Sequence, residues 1–253
     1  MINFLINAIK IIFLLGFLVF IHEGGHFIIA KLCKIKVNEF ALGFGPTLIK
    51  RKKSDTTYAL RIIPLGGFVN LEGEESYSDE EGSFSKAGPL KKIAIVSAGG
   101  IVNILFGLIA FFILILCLRM AISNENFFVN IKQTFYATGE LITSLLESIK
   151  MLFTGNVTAN DMVGIVGISD VVVQTKSIDN YIYIIAMISI SLGITNLLPF
   201  PPLDGGKIVM YIIEAIRKKP AKEKTEILIQ NIGFFLLIAL SIYVTYNDIV
   251  KIF

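Results

Sequence analysis

Four long apolar stretches dominate the hydrophobic pattern of this chain, at residues 2–32, 93–118, 181–200 and 229–246. Each is close to the ~20 residues that a helix needs to cross the hydrocarbon core of a bilayer. The pattern therefore predicts an α-helical polytopic membrane protein with four transmembrane helices. Because the first stretch lacks both a basic start and a small-residue cleavage site, we expect a retained helix rather than a signal peptide.

Two segments between these stretches show a different pattern. Residues 36–71 combine β-branched and aromatic residues with a charged turn, which predicts a membrane-associated β-hairpin region within a cytosolic loop at 36–90. Residues 127–153 carry apolar positions at helical spacing and predict an amphipathic helix on the outer surface. The acidic run at 72–81 is predicted to be a solvated loop without chemistry.

Composition and charge agree with a membrane protein. Of the 253 residues, 54% are hydrophobic and 17% are charged, and the mean hydropathy is +0.73. Lys and Arg collect between the first two apolar stretches and after the third, so these two loops are predicted to be cytosolic and both termini to face outward. The net charge of +3 follows mostly from this arrangement of the basic loops, so it indicates no nucleic-acid partner. The basic loops instead indicate contact with a lipid bilayer.

The only two histidines of the chain lie in one apolar stretch, in the segment His22-Glu23-Gly24-Gly25-His26. Residues i and i+4 of a helix share one face, so both imidazoles can bind one zinc ion while Glu23 lies beside them as a general base. Ionisable residues within a spanning helix are costly, which favours a functional site. The alternative is a pair of interfacial histidines that are hydrogen-bonded near the membrane surface.

A zinc site with an open position needs a third protein ligand, and Asp204 is the best candidate. It follows the third apolar stretch in a segment, 196–206, where three prolines and two glycines break the helix. A broken helix at membrane depth requires protein or a water-filled cavity to satisfy the freed backbone groups, and an active site supplies such a cavity. The alternative is a proline-rich turn in which Asp204 only caps the next helix.

These segments resemble a known family. The motif at 22–26, followed by Asn196-Leu-Leu-Pro-Phe-Pro-Pro-Leu-Asp204-Gly, is similar to the motifs of the site-2 proteases, the intramembrane zinc metalloproteases of peptidase family M50, and most similar to their RseP-type branch of regulator-of-sigma-factor proteases. The resemblance includes Phe40-Ala-Leu-Gly43-Phe-Gly45-Pro, Ile63-Pro-Leu-Gly66-Gly67-Phe-Val and the segments at 98–103 and 164–168. One difference is Gly100, which stands where a proline is usual.

The resemblance implies a zinc endopeptidase that cuts transmembrane segments of single-span proteins, such as an anti-sigma factor or a signal-peptide remnant, in a bacterial cell membrane. Zn²⁺ would be bound by His22, His26 and Asp204 towards the cytosolic side, with Glu23 as the catalytic base. RseP-type members usually carry PDZ domains between their second and third spans, but residues 119–176 are too few for one beside the helix they contain. We therefore expect one protease domain over 1–253 without a PDZ domain, which is either natural or the result of engineering.

Two groups of residues are candidates for substrate binding. An edge strand of the hairpin can pair with the backbone of an unwound substrate, and the glycines of its two motifs are the candidates. They are Gly43, Gly45, Gly66 and Gly67. Asn103 and Asn196 are polar residues within apolar segments and are predicted to hydrogen-bond substrate backbone. The alternatives are a hairpin that only packs on the helices and asparagines that only stabilise helix packing.

Two other classes of protein fit part of this pattern. A membrane metal transporter can place histidines and an aspartate in the bilayer, but it has no need for Glu23 between them. A catalytically inactive membrane scaffold would be expected to lack one of the four chemical residues, and all four are present. The sequence indicates no oligomeric state.

Overall fold

The computed structural model describes residues 2–74, 76–155, 163–219 and 223–252. These residues are mostly helical, with a small antiparallel sheet between the first two helices. In chain order the elements are α1 (Ile2–Leu32), β1 (Val37–Lys53), β2 (Thr56–Leu71), α2 (Pro89–Ile122), α3 (Phe127–Thr154), α4 (Ile165–Gln174), α5 (Ile178–Leu197), α6 (Asp204–Arg217) and α7 (Glu223–Ile252).

Four of the described helices, α1, α2, α5 and α7, are long and apolar enough to span a membrane, which confirms the predicted pattern of four spans. Helices α2 and α7 extend beyond the apolar stretches at both ends. Helix α5 instead ends at Leu197, before the predicted boundary at residue 200. The prolines that follow have no backbone N–H and cannot continue the helix.

The sheet confirms the predicted hairpin, but the strands are longer and more bent than a simple hairpin. Residues 39–42 of β1 pair with 67–70 of β2 and also with 57–60, while 50–53 pair with 56–59. The bend requires glycine at Gly43, where φ is +86° and a Cβ would lie 2.6 Å from the carbonyl oxygen of Ile63. Among the described residues, 67–71 pair only with β1, so the opposite edge of this strand is free.

Contacts group the chain into two compact units, Met1–Leu105 with Ser189–Phe235, and Phe106–Ile188 with Leu236–Phe253. The first unit contains a core of buried residues from α1, the turn after α1, both strands, the loop before α2, α2 itself and α6. Its members are Ala30, Ile35, Val37, Leu71, Phe84, Ile95, Val96 and Tyr211. This core joins the sheet to the helices that carry the histidines and Asp204. The expectation of a single protease domain stays a prediction.

In the second unit, α3 begins against the end of α2. Ser123 Oγ donates to Asn130 Oδ1 at 2.8 Å, and the rings of Phe112 and Phe135 meet at 4.9 Å between centroids. Many of the large apolar side chains of α3 remain exposed while Asn130 and Thr134 are buried, so α3 is the predicted amphipathic helix. The side of the membrane on which it lies stays a prediction.

Candidate metal and active site

The two histidines of α1 point to one place because they are one helical turn apart. Their Nε2 atoms are 3.2 Å apart. His26 Nδ1 lies 2.8 Å from the carbonyl oxygen of Ile95 on α2 and donates to it, since a carbonyl oxygen can only accept. This hydrogen bond fixes the tautomer of His26 and leaves a lone pair on Nε2, the atom that a metal ion requires.

Asp204, the first residue of α6, comes to the same place. Its Oδ2 lies 3.2 Å from His22 Nε2 and 3.3 Å from His26 Nε2. The chain reaches this position through a close return of α6 towards the end of α5, where a Cβ at Gly205 would lie 2.0 Å from the carbonyl oxygen of Leu198. Glycine is therefore required directly after Asp204.

The residues present fit a zinc ion. The three ligand atoms lie within 4.8 Å of one another, and Asp204 Oδ2 is buried without a hydrogen-bond partner among the described residues. A tetrahedral ion bound at about 2.0–2.1 Å separates its ligand atoms by about 3.3 Å, and the three distances found here are 3.2, 3.2 and 3.3 Å. Lone pairs this close repel one another, and a cation between them removes the repulsion.

Electrostatics keep the third ligand ionised. Burial alone would raise the pKa of Asp204, but imidazoles that carry a proton on Nε2 donate to its carboxylate, outweigh burial and hold the pKa of that carboxyl well below its usual range until a metal ion takes the place of those protons. A carboxyl group must be deprotonated to bind a metal ion. Asp204 therefore meets this requirement at neutral pH.

Two glycines let α2 approach the imidazoles closely. A Cβ at Gly99 would lie 2.3 Å from His26 Nε2 and 2.7 Å from His22 Cε1, and one at Gly25 would lie 2.6 Å from the carbonyl oxygen of Ala98. Real Cβ atoms essentially never come so close to other atoms. Neither glycine was predicted to have this role, although two consecutive glycines in an apolar span were a signal that pointed to close helix packing.

A second close approach, between α2 and α5, places Asn103. A Cβ at Gly193 would lie 2.4 Å from the carbonyl oxygen of Gly100, and Ser189 Oγ donates to the carbonyl oxygen of Asn103 at 2.8 Å. The side chain of Asn103 is 0% exposed, and its Nδ2 lies 3.4 Å from His22 Nδ1. The crossing therefore requires glycine at Gly193, and Gly100, which departs from the family pattern, lies opposite it, with a Cβ there 2.9 Å from the carbonyl oxygen of Gly193.

A cavity of about 200 Å³ opens beside the ligand atoms. It is lined by His22, Glu23, His26, Phe68, Val69, Leu71, Glu74, Ile95, Val96, Asp204 and Lys207. The free edge of β2 borders it, since Phe68, Val69 and Leu71 belong to that strand. A Cβ at Gly67 would lie only 3.1 Å from Glu23 Cγ, so the strand passes directly beside the candidate base.

The other predicted substrate-binding residues lie elsewhere. Gly43 and Gly45 contact Ile63 within the hairpin, and Gly66, with φ at +114°, packs against the ring of Phe44. Asn196 is half-buried in the last turn of α5 and is not one of the residues that line the cavity. Of the four glycines, the structure therefore brings only Gly67 next to Glu23.

A salt bridge on the cavity wall was not expected. Lys207, one turn after Asp204, lies with its Nζ 2.8 Å from Glu74 Oε1, and both side chains are mostly buried. Burial lowers the pKa of Lys207, but the adjacent Glu74 carboxylate outweighs burial and raises it. Glu74 belongs to the acidic run that was predicted to be solvated. That run has no local pattern that separates Glu74 from the exposed Glu80 and Glu81.

The sequence profile of peptidase family M50 matches residues 10–240, which is most of the chain, so the protein belongs to this family. Among its relatives, the zinc metalloprotease RasP of Geobacillus kaustophilus is 25% identical over 426 aligned positions that cover 100% of both chains. A protein of Clostridium acetobutylicum, provisionally named as a zinc metalloprotease, is 28% identical over 330 positions covering 96% of this chain and 97% of the relative. A similarly named protein of Clostridium perfringens is 29% identical over 320 positions, covering 92% and 95%.

The family membership confirms the resemblance found in the sequence. The protein is a zinc metalloprotease of the site-2 protease family, its cofactor is Zn²⁺, and it is a multi-pass membrane protein. The alignments with these relatives are longer than the 253 residues of this chain, so the relatives contain segments that have no counterpart here.

Proposed function

We propose that this protein is an intramembrane endopeptidase that cuts transmembrane segments of single-span membrane proteins, such as an anti-sigma factor or a signal-peptide remnant. The observation that carries the proposal is the position of His22, Glu23 and His26 inside a helix long and apolar enough to span a membrane, with Asp204 brought to the same cavity. A peptide bond reaches such a site most directly from within the bilayer.

We assign zinc binding to His22, His26 and Asp204, and the role of base to Glu23. A zinc ion held by these residues would acidify a water molecule and polarise the scissile carbonyl group. Glu23 accepts one proton from the water as its oxygen bonds to the carbonyl carbon. When the bond between carbon and nitrogen breaks, Glu23 returns this proton to the leaving amine, and the carboxylate is regenerated.

The substrate must be extended at the cut, because a helix keeps its carbonyl groups in internal hydrogen bonds. The free edge at 67–71 offers backbone donors and acceptors that can pair with such an extended segment next to Glu23. In this proposal Gly67 allows the close approach, whereas Gly43, Gly45 and Gly66 shape the hairpin. Asn196 hydrogen-bonds the substrate backbone near the end of α5.

The charge pattern supports an orientation. Both termini face outward, and the site lies in the cytosolic half of a bacterial cell membrane, since Lys and Arg collect in the loops after α1 and α5. The chain acts as one protease domain without a PDZ domain. Aligned relatives that are longer than this chain agree with a shortened member of the family.

The test is a cleavage assay with single-span substrates in detergent or liposomes, combined with metal analysis. Glu23→Gln is expected to abolish cleavage while zinc stays bound, because the three ligands are unchanged. Asp204→Ala is expected to reduce both cleavage and zinc content, because a metal ligand is lost. Near-normal proteolysis by Glu23→Gln would remove Glu23 from the mechanism, and normal zinc content in Asp204→Ala would return Asp204 to a capping role.

The edge strand has its own test. Successive N–H groups of a strand point to opposite edges, so proline is tested at Phe68 and at Val69 separately. Proline at the residue whose N–H faces the free edge is expected to reduce cleavage of membrane-embedded substrates with zinc content unchanged, whereas proline at the other residue removes a donor to β1. Helix-breaking substitutions in the substrate near the cut should restore part of the rate, since Gly and Pro weaken a helix by about 1 and about 3 kcal/mol relative to Ala. Unaltered cleavage by both kinds of variant contradicts pairing at this edge.

A further inference from the structure

The two histidines differ in what holds their second ring nitrogen. His26 Nδ1 donates to a backbone carbonyl oxygen, that of Ile95, at 2.8 Å. His22 Nδ1 instead lies 3.4 Å from Nδ2 of the Asn103 side chain, which is its hydrogen-bond partner among the described residues. The other atom of this amide, Oδ1, is buried and has no hydrogen-bond partner among the described residues.

A histidine that binds zinc through Nε2 must carry its proton on Nδ1, and that proton needs an acceptor. An amide NH₂ group at Nδ1 would instead force a lone pair onto Nδ1 and the proton onto Nε2, which faces Asp204 and His26. Rotating the amide by 180° exchanges its nitrogen and oxygen with almost no change of shape. The rotated amide pairs Oδ1 with the Nδ1–H group of His22, and its NH₂ group then takes the buried position at which Oδ1 has no partner among the described residues.

We propose that Asn103 is a positioning residue for the metal site: its Oδ1 accepts the Nδ1–H of His22 and thereby fixes the tautomer and orientation of that imidazole. The inference rests on the proposed zinc site. Asn103 is 0% exposed, so it offers no surface to a substrate, and its role differs from the substrate contact predicted from sequence. Ile95 and Asn103, both on α2, thus hold one histidine each.

The backbone around Asn103 supports this role. Its carbonyl oxygen accepts the hydroxyl of Ser189 on α5 at 2.8 Å, and the crossing of Gly100 with Gly193 brings α2 and α5 together one turn earlier. The side chain is therefore fixed from both ends, by α5 at its backbone and by His22 at its amide. A buried amide held in this way pre-organises a ligand at little cost in conformational entropy on metal binding.

The experiment compares Asn103→Asp with Asn103→Leu in the purified full-length protein. A carboxylate presents only acceptors, so Asn103→Asp is expected to retain zinc affinity within a few fold, whereas Asn103→Leu, which has no acceptor, should weaken it by about 10- to 100-fold. Zinc affinity is measured by chelator competition, and the absorption spectrum of the Co²⁺-substituted protein reports ligand geometry. The matched control is Asn130→Leu, because Asn130 is also buried but contacts Ser123 and Glu125.

Every result is informative. Loss of affinity in Asn103→Leu alone, with a changed Co²⁺ spectrum, supports the proposal; equal affinity in all variants, or loss in Asn103→Asp, overturns it. The aspartate variant keeps the shape of asparagine, so even where the leucine variant fails to fold, loss of zinc affinity in Asn103→Asp still overturns the proposal. His22→Ala is the separate check on the proposed zinc site, because zinc retained by that variant contradicts the site itself rather than the role of Asn103.

Discussion

Gly99→Ala is the substitution for which the structure makes the sharpest prediction. The added Cβ would lie 2.3 Å from His26 Nε2 and 2.7 Å from His22 Cε1, about 1 Å closer than ordinary van der Waals contact. Neither ring can move away freely, since His26 is held by Ile95 and both rings face Asp204. The helix or the imidazoles must therefore shift by about 1 Å.

Overpacking of this kind costs about 1–3 kcal/mol of stability. A shift of about 1 Å at reacting groups lowers the rate by about 100-fold. We expect Gly99→Ala to lose cleavage by about that factor and to release zinc at lower chelator concentration than the wild type. Substrate cleavage and chelator competition on the same detergent-purified sample measure both effects.

Gly24→Ala is the matched control, because Gly24 lies in the zinc motif itself, yet a Cβ there would have no described atom within 4 Å apart from its neighbours along the helix. It should leave cleavage and zinc content unchanged and raise the unfolding temperature slightly, since Ala favours a helix over Gly by about 1 kcal/mol. Wild-type zinc affinity in Gly99→Ala, or an equal loss in Gly24→Ala, would refute the close approach of α2 to the imidazoles.

Three further predictions concern stability. Glu74→Gln should lower the unfolding free energy by about 1–3 kcal/mol at neutral pH. Because Glu74 raises the pKa of Lys207 above 10.5, this loss of stability is complete below pH 10.5 and disappears as the pH rises through the raised pKa. A loss of stability that persists above the raised pKa contradicts the prediction. Asp248→Ala removes the acceptor of the Gly164 and Gly167 N–H groups, both at 2.9 Å, and should lower the unfolding temperature in a thermal scan, whereas an unchanged temperature means that water replaces the carboxylate. Removal of zinc by a chelator should lower the unfolding temperature of the wild type and abolish cleavage, and re-added zinc should restore both. An unfolding temperature that the chelator leaves unchanged contradicts this prediction.

The spans and the hairpin could be predicted because their signals are local. Apolar length identifies a spanning helix, and a charged turn between β-branched runs identifies a hairpin. The boundaries that differed follow from local rules as well, as with α5, which ends before the prolines near residue 200. The double pairing of residues 39–42 could not be predicted, since it depends on a bend at Gly43 that brings distant parts of β2 to the same strand.

The site could be predicted only where its residues belong to a motif. Helical spacing places His22 and His26 on one face, and the helix break before Asp204 marks the end of a span. The roles of Gly99 and Asn103 depend on how closely α2 packs against α1. The spacing of residues along one helix does not show how close a second helix comes. Asn103 was found as a polar residue in an apolar span, but its partner, His22, is visible only once α1 and α2 are packed.

The cavity wall also connects the strand that we propose for substrate binding to the helix that carries the third ligand. Strand β2 ends at Leu71, and Glu74 follows three residues later, where it binds Lys207, one turn after Asp204 on α6. The same loop is anchored by Phe84, which is 3% exposed and packs against Tyr211 of α6. The salt bridge and the ring contact therefore connect the edge of β2 to α6. For this reason we expect a substrate that pairs with this edge to change the position of Asp204, although no sequence motif joins the two.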